Sequence, residues 1–213
     1  MTVDVGALAT ELLDRSSTGQ RVIVGICGAP GAGKSTLAEL LVAEVNGRLP
    51  GSAVAVGMDG FHLARSVIDV DDRRSRRGAP DTFDAVGYAA LLARLRSAED
   101  EVVYAPEYRR DIEDPVNAAI AVPRSVRVVV TEGNYLLHPD WVAARESLDQ
   151  VWYLEAPDDS VRVEQLVARH VRFGKDPERA RSWVLVSDEA NARLVASHRD
   201  RADRVLRWSS WQA

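Results

Sequence analysis

The chain has 213 residues and a formal net charge of −5 at pH 7; 46% of its residues are hydrophobic and 28% are charged. This length and composition predict one well-cored domain spanning residues 1–213. The acidic balance disfavours nucleic acid as a partner, and one cysteine, Cys27, cannot form an internal disulfide. No apolar run approaches the roughly 18 residues of a membrane span, and the first residues lack a signal-peptide pattern. We therefore expect a cytoplasmic protein that binds no membrane.

Apolar patterns along the chain predict helices that alternate with strands. Helical spacing over residues 3–13 precedes a β-branched run at 21–27, which is typical of a strand buried on both faces. Further helices are predicted directly after residue 35, from Asp84 to Ser97 with Asp84 as the N-cap, and from about Asp158. Further strands are predicted at residues 53–57, 101–106, 126–133, 150–157 and 203–208. The alternation predicts an α/β fold, a three-layer α/β/α sandwich around a mainly parallel five-stranded sheet.

The stretch GAPGAGKST, residues 28–36, follows the first predicted strand and contains the P-loop spacing G-x-x-x-x-G-K-[ST]. Glycines let successive N–H groups turn toward phosphate oxygens, and the following helix adds its positive N-terminus. Lys34 is expected to reach the β- and γ-phosphates, and the Ser35 hydroxyl to ligate Mg²⁺. The motif predicts a P-loop NTPase fold whose nucleotide-binding residues are Gly28, Ala29, Pro30, Gly31, Ala32, Gly33, Lys34, Ser35 and Thr36.

Two carboxylates follow predicted strands. Asp59 comes just after the strand at 53–57, at the edge of an open α/β sheet where ligands bind, and could orient or deprotonate an attacking hydroxyl. The alternative is a turn residue of an Asp-Gly pair. Glu132 ends a strongly apolar strand, where P-loop proteins keep the acid that holds Mg²⁺. The alternative for Glu132 is a structural role alone.

Four further motifs occur in order after the P-loop: MDGFHL, RRGAPDTFD, YAPEYRRDIEDP and EGNYLL. With the P-loop, they resemble the group of uridine kinases, phosphoribulokinases and pantothenate kinases, near D-glycerate kinases and bacterial kinases associated with fructose transport. The resemblance implies that Asp59 faces the acceptor hydroxyl and that His62 lies near the substrate. At the position where uridine kinases carry a ribose-binding acid, this chain has Gly78. Nucleoside phosphorylation is therefore the second expectation.

Three other residues of the acceptor side follow from charge runs and strand ends. Arg77 belongs to an arginine-rich run that leads into a substrate motif, so it could meet an anionic substrate; a solvated loop is the alternative. Tyr108 and Arg109 follow the predicted strand at 101–106, where the tyrosine could stack on a substrate and the arginine could bind a carboxylate or phosphate.

The C-terminal third contains the remaining candidates. The stretch at 183–191 resembles the end of pantothenate kinases, which implies that Asn191 contacts substrate; the alternative is a polar residue on a solvated helix. A helix–turn–helix lies where the family carries its lid, at about residues 169–180. There Arg169 is the foremost of three cations that could neutralise charge on the transferring phosphate, ahead of Arg172 and Lys175. The alternative is again a solvated helix face.

These residues predict a kinase that moves the γ-phosphate of Mg·ATP to a hydroxyl of a small polar metabolite: a sugar, polyol or hydroxy acid, pantothenate-like or fructose-like. Lys34, Asp59 and Arg169 would be catalytic, and Ser35 and Glu132 would hold the metal. A uridine or nucleoside kinase is the alternative within the class. A nucleotide-gated regulatory protein that transfers no phosphate, or a hydrolytic ATPase or GTPase, is the alternative outside it. A GTPase would need an N-K-x-D-like guanine reader, which the stretch at 150–159 does not contain. A homodimer is left open.

Overall fold

A computed structural model describes residues 1–69 and 72–209. Its central layer is a five-stranded parallel sheet with the strand order β2–β5–β1–β6–β7. In chain order, the strands are β1 (Val22–Cys27), β2 (Ala53–Gly57), β3 (Val102–Arg109), β4 (Asp114–Pro123), β5 (Val128–Glu132), β6 (Gln150–Glu155) and β7 (Arg204–Arg207). The predicted five-stranded sheet is confirmed. It is parallel throughout because each connection between neighbouring strands runs over a face of the sheet.

Helices cover both faces of this sheet and bury two separate apolar clusters. One cluster joins alternate sheet residues such as Ile23 and Val129 to Tyr88 and Leu92, and the other joins Val24 and its neighbours to the first two helices. The helices are α1 (Val5–Ser16), α2 (Lys34–Arg48), α3 (Arg65–Ile68), α4 (Ala85–Ser97), α5 (Val142–Arg145), α6 (Asp159–Arg172), α7 (Pro177–Trp183) and α8 (Glu189–Ala196). Among the described residues, none of the helices combines the length and apolarity needed to cross a membrane.

Aspartates cap two of these helices, and the cap at Asp84 is the one that the sequence predicts. The Asp84 side chain accepts a hydrogen bond of 2.8 Å from the Gly87 N–H at the start of α4, which satisfies one of the unpaired donors of the first turn. Asp158 caps α6 in the same way through Ser160 and Val161.

The segment predicted as a strand at 101–106 is a strand, but it does not join the central sheet. It forms β3, which pairs only with β4 in an antiparallel hairpin that the sequence did not predict. The hairpin lies against the turn after β2, where the Pro106 carbonyl approaches Gly60 so closely that a Cβ there would collide with it. The hairpin therefore adds a wall beside the carboxyl end of β2.

Residues 1–3 lie along β7 at one side of the sheet. The Val3 N–H donates to the Arg207 carbonyl at 2.9 Å, and the Arg207 N–H donates to the Met1 carbonyl at 2.9 Å. This short pairing is parallel, like the strands of the sheet. It satisfies backbone groups of β7 that face away from β6.

Candidate active site

The register of three neighbouring strands brings the predicted site residues to one edge. Gly57 of β2 and Ile26 of β1 both lie opposite Glu132, the last residue of β5. The chain continues from β2 to Asp59 and from β1 into the P-loop, so both follow the same edge of the sheet. This is the carboxyl edge, where open α/β sheets bind their ligands.

The P-loop connects β1 to α2 and has the backbone that its glycines allow. Gly31 and Gly33 have φ angles of +78° and +89°, which side chains with a Cβ rarely adopt. A Cβ at Gly28 would lie 2.5 Å from the Leu154 carbonyl oxygen, so this position has no room for one. The Ala32 carbonyl accepts a hydrogen bond of 3.2 Å from the Trp208 indole. The loop is thus held by the core on its inner side.

Lys34 is 8% exposed and turns toward the end of β5. Its Nζ donates to the Asn134 side-chain oxygen at 2.7 Å and to the Ala29 carbonyl at 3.0 Å. Burial lowers the pKa of Lys34, while the charges of Glu132 and Asp59 oppose this effect. Asn134 was not singled out in the sequence, although it lies in the EGNYLL motif two residues after Glu132.

Glu132 contacts the P-loop hydroxyl, and Asp59 lines the same cavity. The Ser35 Oγ donates to the Glu132 Oε1 at 3.0 Å. Burial and the charge of Asp59 raise the pKa of Glu132 above its usual value. Burial also disfavours the charged form of Asp59, but His62, Arg110 and Lys34 outweigh it and hold the pKa of Asp59 below its usual value. Asp59 is therefore the carboxylate that stays ionised most readily.

These groups share one cavity of about 330 Å³. Of the sequence-predicted site residues, the ones that line it are Pro30, Gly31, Lys34, Ser35, Asp59, His62, Arg77, Tyr108, Glu132, Arg169 and Asn191. The other P-loop residues, Gly28, Ala29, Ala32, Gly33 and Thr36, form the loop and the first turn of α2 without lining the cavity. The structure thus brings most of the predicted nucleotide, metal and acceptor residues together.

Aromatic side chains form the acceptor side of the cavity. The His62 ring stacks between Phe83, with 4.0 Å between ring centroids, and Tyr108, with 4.8 Å. Its Nδ1–H donates to the Asp59 carbonyl at 2.9 Å, and burial lowers the pKa of His62. Arg77 lies over the other part of the Tyr108 ring, with 5.6 Å from its Cζ to the centroid.

Asn191 is a buried part of this wall, 8% exposed, and not a solvated helix residue. Its Nδ2 donates to the Gly78 carbonyl at 3.3 Å, and the Tyr135 hydroxyl donates to the same oxygen. Gly78 has a φ of +98°, a conformation that favours glycine. Two side chains from distant parts of the chain thereby fix the loop that carries Arg77.

Arg109 is the predicted acceptor residue that the structure does not bring to the cavity. Its guanidinium is exposed and pairs with Asp111 at 3.0 and 2.9 Å in the hairpin turn. The next residue, Arg110, lines the cavity instead, and its Nη2 lies 3.5 Å from the Asp59 Oδ2. Side chains alternate between the two faces of a strand. Tyr108, which lines the cavity, and Arg109 are the last two residues of β3, so Arg109 lies on the opposite face, whereas Arg110 is in the turn that follows the strand.

The segment predicted as a lid, residues 169–180, comprises the end of α6, the turn after it and the start of α7, and α6 ends at Arg172, close to the predicted end near residue 173. Arg169 lines the cavity, and burial together with the nearby Arg110 lowers its pKa. Lys175 also lines the cavity and lies 4.3 Å from the centroid of the Trp183 ring. Arg172 is exposed and does not line it.

A further arginine of α6, Arg162, ties the lid to the P-loop and was not predicted. Its side chain is 2% exposed. It donates to the Pro30 carbonyl at 3.1 Å, to Glu189 of α8 at 2.6 Å and to Asp159 at 2.8 Å. The lid helix, the P-loop and α8 therefore share one buried cation.

This fold and edge define a P-loop NTPase of the kinase type. The family model of the methylmalonyl Co-A mutase-associated GTPase MeaB matches residues 3–59, which contain the P-loop but little else of the chain. The whole chain is more similar to kinases. A protein of Schizosaccharomyces pombe named "Putative uridine kinase C227.14" is 37% identical over 173 residues, which is 78% of this chain and 72% of the relative.

Two further relatives agree with this class. The "ATP-dependent kinase-like protein notR'" of Aspergillus versicolor is 34% identical over 67% of this chain and 88% of its own length. The crystal structure of a "putative fructose transport system kinase" from Silicibacter sp. TM1040 is 34% identical, covers 95% of this chain and 98% of its own, and superposes with a TM-score of 0.84. The chain therefore belongs to the P-loop small-molecule kinases of the uridine kinase and pantothenate kinase group, as its motifs predict.

Proposed function

We propose that this chain transfers the γ-phosphate of ATP to a hydroxyl of a small polar metabolite, a sugar, a polyol or a hydroxy acid. The observation that carries the proposal is the position of Asp59, which lines the same cavity as Lys34, Ser35 and Glu132. A P-loop with its metal-side acid needs a further group to direct the phosphate to an acceptor rather than to water. Asp59 lies at the sheet edge where such a group is required.

The residues of this edge suit ATP and Mg²⁺. The Ser35 Oγ and the Glu132 Oε1 lie 3.0 Å apart, and both are oxygen atoms of the kind that Mg²⁺ prefers as ligands. Within residues 1–69 and 72–209, no group of three or more His, Cys, Asp or Glu side chains could hold a metal without help. This matches a Mg²⁺ site completed by substrate phosphates and water. When bound, Mg²⁺ would neutralise charge on the phosphates. The Aspergillus relative is named as an ATP-dependent kinase-like protein, which favours ATP as the nucleotide.

Asp59 would act on the acceptor. Its pKa is held low by His62 and Arg110, so it is a carboxylate at neutral pH and can accept the proton of the attacking hydroxyl. The acceptor oxygen forms a bond to the γ-phosphorus as the bond to the β–γ bridging oxygen breaks, and ADP leaves. In a loose transition state, orientation of the hydroxyl matters more than the strength of the base. Arg169 in the lid would face the charge on the transferring group.

A uridine or nucleoside kinase is the second candidate. The name of the Schizosaccharomyces relative favours it, and the His62, Phe83 and Tyr108 rings could stack on a base. Against it, Gly78 occupies the position where uridine kinases carry a ribose-binding acid, and its carbonyl is already occupied by Asn191 and Tyr135. A sugar, polyol or hydroxy acid therefore remains the first choice.

The test is ADP release from Mg·ATP with fructose, glycerate, pantothenate and uridine as acceptors. We expect one class of acceptor to stimulate ADP release in the wild type. Asp59→Asn keeps the size of the side chain but removes the negative charge, and we expect it to abolish the stimulated part. If Asp59→Asn turns over the acceptor at the wild-type rate, the proposal is wrong. ATP binding without stimulation by any acceptor would favour the nucleotide-gated regulatory protein instead.

A further inference from the structure

Arg77 is the cation of the acceptor side whose hydrogen bonds are least complete. Its Nε is buried and has no hydrogen-bond partner within residues 1–69 and 72–209. Its Nη2 reaches the Asp114 Oδ1 only at 3.5 Å, and that oxygen already accepts the Arg65 backbone N–H at 3.0 Å. The Arg77 side chain is 16% exposed, so water replaces little of what is missing. An incompletely paired, desolvated guanidinium is costly, because it has lost hydrogen bonds to water without replacing all of them.

Other cations near Arg77 already have carboxylate partners. Arg110 lies 3.5 Å from Asp59, and Arg65 pairs with Glu113 at the tip of the hairpin. The cations on the opposite side, Lys34 and Arg169, face the P-loop and the lid and are suited to the triphosphate. Arg77 also has a carboxylate neighbour, Asp114 at 3.5 Å, but among the described residues it is the cavity cation with a buried nitrogen that has no hydrogen-bond partner.

Contacts to the backbone after Arg77 and to its guanidinium restrict the position of this side chain, as is typical of a residue that binds a ligand. The carbonyl of the next residue, Gly78, accepts hydrogen bonds from Tyr135 and Asn191. The guanidinium also lies over the Tyr108 ring. Arginine held by its backbone and by an aromatic ring loses little further freedom when its planar fork binds an anion.

We propose that Arg77 binds an anionic group of the acceptor, a carboxylate or a phosphate, while Asp59 engages the hydroxyl. This inference rests on the proposed kinase function and narrows its substrate class to hydroxy acids and sugar phosphates. His62 lies between the two ends: its Nδ1 is 4.0 Å from the Asp59 Oδ1, and its ring stacks on the Tyr108 ring that Arg77 covers. The acceptor is therefore compact, with its hydroxyl and its anion on opposite sides of one imidazole ring.

The experiment compares acceptors that differ in the anionic group. Suitable pairs are glycerate with glycerol, pantothenate with panthenol, and fructose 6-phosphate with fructose, each measured as ADP release from Mg·ATP. We expect the anionic member of at least one pair to have a kcat/KM at least 10-fold above that of its neutral partner. The pairs also separate the two sources of charge, because two of them carry a carboxylate and one carries a phosphate.

Two variants of Arg77 and a matched control complete the test. Arg77→Gln should lower kcat/KM for the anionic acceptor by about 10- to 100-fold, as expected for a lost charged hydrogen bond, and leave the neutral partner unchanged. Arg77→Lys keeps the charge and should retain part of the preference even if Arg77→Gln folds poorly. Arg109→Gln removes an exposed arginine from outside the cavity and should leave both members unchanged.

The outcomes separate this inference from the proposed function. If a neutral acceptor is phosphorylated as well as its anionic partner, the role of Arg77 is wrong while the kinase stands. Equal losses for both members in Arg77→Gln would show a structural role and would also overturn the inference. If no member of any pair stimulates ADP release, the proposed function itself fails.

Discussion

The nucleotide side and the acceptor side of the cavity are built in different ways. On the nucleotide side, the P-loop, Glu132 and Asn134 lie at the ends of neighbouring strands, and the sheet register alone brings them together. On the acceptor side, the walls come from a separate hairpin, from the loop around Gly78 and from α8. There, charge pairs such as Arg110 with Asp59 join elements that are far apart in sequence.

This difference indicates which part of the cavity can change between related kinases. The residues of the nucleotide side cannot move without altering the sheet, so this side suits the nucleotide, which related kinases share. The acceptor side can change through the hairpin and loops while the sheet stays intact, which is how one fold serves many substrates. Substitutions on the nucleotide side should therefore affect every acceptor alike, and those on the acceptor side should not.

The largest expected effect is on the nucleotide side. Lys34→Met removes the buried ammonium that we expect to bind the phosphates, so kcat should fall by about 10³-fold, or about 4 kcal/mol, with every acceptor. Asn134→Ala, which removes only the side-chain partner of Lys34, should have a smaller effect. Steady-state ADP release measures both. An acceptor-dependent loss in Lys34→Met would contradict the division of the cavity into two sides.

The second prediction concerns the connection between the lid and the P-loop. Arg162→Met leaves Glu189 and the Pro30 carbonyl without their buried partner, and we expect the free energy of unfolding to fall by about 3 kcal/mol. Arg181→Met is the matched control, because it removes an exposed ion pair with Glu164 in the same lid and should cost less than about 1 kcal/mol. Urea denaturation followed by circular dichroism measures both. Equal losses would show that Arg162 contributes no more than a surface pair.

The third prediction compares two neighbouring arginines of the hairpin. Arg110→Gln removes a positive charge 3.5 Å from Asp59, and we expect kcat/KM for the acceptor to fall about 10-fold. Arg109→Gln should change kcat/KM by less than about 2-fold because its guanidinium pairs with Asp111 outside the cavity. The KM for ATP should stay the same in both variants. If kcat/KM fell further in Arg109→Gln than in Arg110→Gln, Arg109 and not Arg110 would be the residue that contacts the acceptor.

The smallest expected effect is the pH dependence that His62 adds to stability. Burial lowers the pKa of His62 in the folded protein below its usual 6.5, so the unfolded chain binds more protons just below pH 6.5. The stabilising contribution of neutral His62 is therefore complete above pH 6.5 and declines as the pH falls below it. Unfolding free energies of the wild type and His62→Gln at several pH values from 5 to 8 should differ more at high pH than at low pH. A difference independent of pH would contradict the lowered pKa.

Local patterns predict the nucleotide side well. The P-loop spacing fixes which residues follow β1, and the ends of apolar strands identify Asp59 and Glu132 as members of the carboxyl edge. Both inferences need only the rule that parallel strands end at one edge. The three-layer sandwich follows from the same alternation of strands and helices.

The acceptor side was predicted less well because it depends on contacts between distant residues. The sequence of β4, DPVNAAIAVP, has a proline near each end and no alternation of apolar and polar residues, so the sequence predicts neither the hairpin nor the position of Arg110 in the cavity. Nothing near Arg162 in the sequence shows that its partners are the P-loop and α8. The sequence shows where arginines cluster, but only the fold decides which of them are buried.

The pairing of residues 1–3 with β7 has a consequence for self-association. A strand at the side of a sheet presents N–H and C=O groups that can recruit a strand of another molecule. Here the first three residues occupy that position with backbone hydrogen bonds of 2.9 Å. Removal of these residues would open a template for intermolecular β-pairing, and light scattering of the shortened chain would show it as slow aggregation.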